Sequence, residues 1–127
     1  MIRSCGTFTI SMTPQDDETH SMGRLTFDKI FSGDFTGISV GQMLSHRSSV
    51  EGSAGYVALE RLEGSLDGKR GGFHLMHLGT MQAGDQQLSV SIVPNSGTDD
   101  LTGITGTLEI DIKEGVHHYT LSYEFMP

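Results

Sequence analysis

Glycine punctuates this chain so densely that long helices have no room to form. Seventeen glycines and three prolines among 127 residues divide it into short runs rich in Thr, Val, Ile, Phe and Tyr, the residues that fit a pleated sheet. In residues 6–12, Phe8, Ile10 and Met12 alternate with Thr7, Thr9 and Ser11, the period-two pattern of a half-buried strand. Pro14 is expected to end that strand. The polar stretch 15–21, with Asp16, Asp17 and Glu18, reads as a solvated loop. Further strands are expected over 24–31, 35–46, 57–63, 73–81, 87–93, 104–113 and 117–125, making eight.

Residues 57–63, VALERLE, prefer helix locally, but the run is too short to persist alone and leads into Asp67-Gly68, a strong hairpin signal. It is therefore assigned as strand. Gly37 and Gly41 weaken the third strand and suggest the bend of a barrel corner. Eight hairpin-linked strands without crossover helices must form a sandwich or close on themselves. Closure removes the edges and predicts an all-β chain: a single eight-stranded antiparallel β-barrel, lipocalin-like, over residues 1–127. The interior of such a barrel is filled by side chains or holds one small ligand.

Composition narrows the partners. A net charge of −8 argues against nucleic acid and against anionic membrane surfaces. Cys5 is the sole cysteine, which excludes an internal disulfide, a CxxC pair and a thiolate zinc site. With no signal-like stretch at the start of the chain, a cytoplasmic location is expected.

Three patterns raise the question of chemistry. Gly37-Ile38-Ser39-Val40-Gly41 matches G-x-S-x-G, but a nucleophile elbow needs a helix after the serine, and strand-like sequence follows. A serine hydrolase is rejected. His74 and His77, like His117 and His118, are an odd number of positions apart and face opposite ways on a strand, so no metal site and no cofactor are expected. More informative are polar residues on apolar faces: Lys29 beside Phe27 and Phe31, Glu60 beside Ala58 and Leu62, His77 beside Phe73 and Leu75. If those faces point inward, the charges must pair, and Lys29 with Glu60 is the natural pair. Such a cluster is either a satisfied structural ion pair or the polar floor of a ligand cavity, with Glu60 and His77 as candidate acid/base groups. Tyr119 and Tyr123 share a face with Leu121 and Phe125, a pattern that suits both a core and a cavity wall.

Three segments carry a resemblance: residues 31–37 (FSGDFTG), 56–80 (YVALERLEGSLDGKRGGFHLMHLGT) and 93–106 (VPNSGTDDLTGITG). Together they resemble a bacterial family of unknown function with an allene oxide cyclase-like barrel, distantly related to allene oxide cyclases and dirigent proteins. Asp99 stands where the Gly-Thr-Gly turn of those relatives has glycine, and Gln42 falls where relatives often carry glutamate. Lys29, Glu60 and His77 sit at positions of the family's recurring pattern. The resemblance implies a barrel that holds an apolar molecule, and a homo-oligomer.

The leading expectation is a barrel that binds a small apolar or amphipathic metabolite, with Lys29, Glu60, His77, Tyr119 and Tyr123 as its polar contacts. The alternatives are an isomerase or cyclase using the same cavity, and a packed homo-oligomeric interaction module.

Overall fold

Alternation along each run and glycine-centred turns between them produce an uninterrupted antiparallel meander. The computed structural model describes residues 1–16 and 22–127. Its strands are β1 (Ile2–Gln15), β2 (Gly23–Gly33), β3 (Phe35–Arg47), β4 (Ala54–Leu66), β5 (Lys69–Gln82), β6 (Asp85–Ile92), β7 (Ile104–Lys113) and β8 (Val116–Phe125). Each pairs with its sequence neighbour, and β1 pairs with β8, closing the barrel. The VALERLE segment is strand, as its context requires. Asp67-Gly68 turns β4 into β5 with φ of 50° and 85°, the two left-handed residues of a type I′ hairpin. Among the described residues no helix is long and apolar enough to cross a membrane.

Two local expectations need correction. Pro14 does not end the first strand; it pairs with Leu25 inside β1. Because β8 reaches β1 only as far as Phe8, the later part of β1 is bonded on one side alone, and a missing N–H is tolerated there. The 15–21 loop begins later than expected, since Gln15 is the last residue of β1; Asp17 and Glu18 lie outside the described residues.

The two ends of the barrel differ. At the end carrying the β2–β3 and β4–β5 turns, the interior is solid. Phe31 meets Phe35 and Tyr119 edge-on, with centroids 5.2 and 5.7 Å apart, and Leu66, Leu101 and Leu121 are fully enclosed. Between β6 and β7 the ladder has a single paired position, Ser91 with Thr107. The following connection folds back over this end: a 3-10 turn, Asp99–Leu101, inserts Leu101, and Thr98 exchanges hydrogen bonds with Gly72. Asp99 has φ 53°, so it adopts the left-handed conformation that a glycine would supply, one that Asp tolerates better than most residues.

Candidate functional site

The interior becomes polar about midway along the barrel. The buried positions include Phe27, Lys29 and Phe31 on β2, Ala58, Glu60 and Leu62 on β4, and Phe73, Leu75 and His77 on β5. All three polar members therefore point inward, with Lys29 4% and Glu60 2% exposed. Glu60 Oε1 accepts from Lys29 Nζ at 3.1 Å and lies 2.9 Å from His77 Nε2, while Oε2 accepts from Ser39 Oγ at 2.9 Å. Both carboxylate oxygens are thus used. Burial alone raises the Glu60 carboxyl, but the His77 hydrogen bond, the Lys29 charge and the Ser39 hydroxyl outweigh it and hold the group below its ordinary value. Burial pulls the Lys29 ammonium down, and Glu60 offsets part of that shift.

Lys29 is also surrounded by rings. Its ammonium lies 4.6 Å from the Phe8 centroid, 5.3 Å from Phe27 and 5.9 Å from Phe31, a placement in which ring quadrupoles partly replace lost water.

Above this cluster, toward the end bearing the β3–β4 and β5–β6 turns, lies a cavity of about 450 Å³. Lys29 and His77 reach its wall, and the remainder is mainly apolar: Phe8, Ile10, Phe27, Ala58, and three methionines, Met12, Met43 and Met81. Flexible thioethers suit a wall that adapts to irregular apolar shapes. Tyr56 joins it with its ring packed over Gly79, where a β-carbon would stand 2.1 Å from a ring atom. Burial and the Glu60 charge push the Tyr56 hydroxyl upward.

Of the five residues singled out in the sequence, the structure brings three together. Lys29 and His77 face the cavity, and Glu60 lies behind them, absent from the lining. Tyr119 and Tyr123 are at the opposite, packed end. Tyr119 Oη accepts from the Phe35 N–H at 2.9 Å and lies 3.1 Å from the Ser32 carbonyl; Tyr123 and Ser4 both donate to Asp67 in the β4–β5 turn. Burial and Asp67 push the Tyr123 hydroxyl up to about 12. There they satisfy buried and turn polar groups, and neither lines the cavity that Lys29 and His77 face.

Ser39 joins the cluster through a role that the G-x-S-x-G pattern does not suggest, as a hydroxyl donor to Glu60. It sits mid-strand and inward with no helix after it, so it is a ligand of Glu60 and not an elbow nucleophile. Its signal was parity with Phe35, Gly37 and Gly41 on β3. His74 is exposed where His77 is buried, and His117 stacks on Phe8 at 5.0 Å. Among the described residues no three His, Cys, Asp or Glu side chains are grouped to share an ion.

Residues 4–123 match the DUF3224 family, described as a protein of unknown function. The chain belongs to the DUF3224 family. A solved member, the crystal structure of a protein of unknown function from Shewanella oneidensis MR-1, is 41% identical over 100% of this chain and 98% of its own, with a TM-score of 0.95. No curated protein matches the chain. The DUF3224 fold is therefore a closed eight-stranded barrel shared at high similarity with that relative.

Proposed function

We propose that this DUF3224 barrel binds a small apolar or amphipathic metabolite in its open half, oriented by Lys29 and His77. The observation that carries the reading is the meeting of an apolar cavity with two buried polar groups at its floor. A volume of about 450 Å³ is within the usual range for small-molecule sites, which combine apolar walls with a few convergent polar atoms. Glu60 is the positioning residue, since it holds both groups and is absent from the lining of this cavity. An allene oxide cyclase-like kinship and a cytoplasmic location belong to the same proposal, supported by the apolar interior and by the lone Cys5.

One observation favours a second reading, an isomerase or cyclase. The ionised Glu60 accepts Nε2–H of His77, so in the neutral ring Nδ1 carries the lone pair. Among the described residues Nδ1 makes no hydrogen bond, and no buried side-chain nitrogen or oxygen lacks a partner; Nδ1 is therefore solvent-accessible, on a ring that lines the cavity. A base there can take a proton from carbon beside a carbonyl and return it elsewhere on the same molecule, with the Lys29 ammonium stabilising the intervening oxyanion. That step needs no co-reactant.

Native mass spectra of gently purified protein test the binding reading. A reproducible added mass that leaves on denaturation is expected, and Ala58→Leu, which narrows the cavity, removes it. A clean protein mass, together with no binding of an apolar fluorophore that Ala58→Leu would block, overturns the reading. Deuterium uptake by the released molecule on return to the protein in heavy water separates isomerase from binder.

A further inference from the structure

The outside of β2–β5 is as patterned as the inside, and in an unusual sense. The outward residues of β3 are Thr36, Ile38, Val40, Gln42, Leu44 and His46, a column with no Asp, Glu, Lys or Arg. Beside it, β4 presents Val57 and Leu59, and β5 presents Met76 and Leu78; exposures of the apolar members run from 41% for Met76 to 58% for Leu59. The register aligns them across the sheet, Leu44 with Val57 and Val57 with Leu78, then Leu59 with Met76. Contiguous apolar surface of this extent marks an interaction site.

The charges on this face are of both signs although the chain carries −8. Outward on β2 are Arg24 and Asp28, on β4 Arg61 and Glu63, and on β5 Arg70. Asp28 is paired in register with Val40, and Val40 with Arg61, so a carboxylate and a guanidinium flank the β3 column at the same level. A two-fold axis running along β3 carries Asp28 of one copy over Arg61 of the other and stacks Val40 on Val40. This is the self-complementarity that an isologous contact requires. Four strands about 4.8 Å apart, each with about four outward residues spaced roughly 6.7 Å, give a footprint on the order of 500 Å² per copy. Over two copies that is about 1,000 Å², the size at which a specific interface begins.

We infer that the outer face of β2–β5 is the interface of a homodimer, two barrels packed sheet to sheet with Asp28 of each copy paired to Arg61 of its partner. Aligned sheets about 10 Å apart accommodate such a contact. The inference is independent of what the cavity binds.

Sedimentation equilibrium on the full chain tests it. The wild type is expected to be a dimer, and Leu59→Asp, a change at an exposed position, to weaken it by at least about a hundredfold with an unaltered circular dichroism spectrum. Asp28→Arg and Arg61→Asp each weaken the dimer by at least about tenfold, and the double variant recovers most of the loss, because the swapped pair meets again across the axis. A wild-type monomer at high concentration overturns the inference, whether this face then captures phosphatidylcholine vesicles or a foreign protein. So does an oligomer indifferent to Leu59→Asp, or a double variant no better than the single ones.

Discussion

Lys29 and Glu60 pair across a strand that belongs to neither: β2 and β4 are separated by β3, and Nζ meets Oε1 over it at 3.1 Å. The reach is made possible by what β3 offers inward at that level. Ser39 stands opposite Lys29 and Gly41 opposite Glu60. A β-carbon at Gly41 would lie 2.4 Å from a ring atom of Phe27 and 2.8 Å from Cβ of Glu60, so a larger residue there would displace both.

Removing one partner of this pair is expected to cost more than removing both. Glu60→Gln leaves the Lys29 cation buried without its counter-charge, and Lys29→Met leaves the carboxylate with His77 and Ser39 alone; each is expected to destabilise by about 3–5 kcal/mol. Lys29→Met combined with Glu60→Gln should cost clearly less than the sum. Urea unfolding of the four proteins measures the coupling, and strict additivity would contradict a buried, mutually dependent pair.

The same carboxylate sets an acid dependence. Its folded-state value lies below the ordinary value of 4.5, so the stability it contributes is complete above that value and lost as pH falls through the depressed folded value. The difference in urea midpoint between wild type and Glu60→Gln is therefore constant around neutrality and closes as pH drops below about 4.5. A gap that persists at still lower pH would mean that packing, not charge, separates the two proteins.

His77 is expected to hold its proton on Nε2 when neutral, because Glu60 Oε1 lies 2.9 Å from that nitrogen. Nitrogen-15 chemical shifts of the ring distinguish the tautomers directly. In Glu60→Gln the preference weakens, since a neutral amide accepts less strongly than a carboxylate. A wild-type ring protonated on Nδ1 would remove the basis for the isomerase reading while leaving the binding reading intact.

Tyr119→Phe separates the two ends of the barrel. It leaves the buried Phe35 N–H without the acceptor it meets at 2.9 Å, at an expected cost of about 1–3 kcal/mol. Binding of an apolar fluorophore in the cavity is unchanged, because Tyr119 is not part of the lining. Loss of binding in a variant that still melts cooperatively would return Tyr119 to the site.

Much of this architecture was legible locally. Alternation identified eight strands, Asp67-Gly68 announced its hairpin, and Lys29, Glu60 and His77 each fell on an apolar strand face, because side-chain direction in a strand repeats every two residues whatever the strand touches. Which face lines the barrel, and at what height each residue sits, were not local. Height depends on the register accumulated from strand to strand around the closed sheet. That register brings Ser39 to Glu60, sets Glu60 behind Lys29 and His77, and carries Tyr119 and Tyr123 to the packed end although they too point inward. It also stops β8 at Phe8, leaving Pro14 where it needs no hydrogen bond. By itself the sequence determined the strands and the periodic grouping of their side chains; the tertiary structure decided which inward groups share a level, since only closure brings strands distant in sequence around one interior.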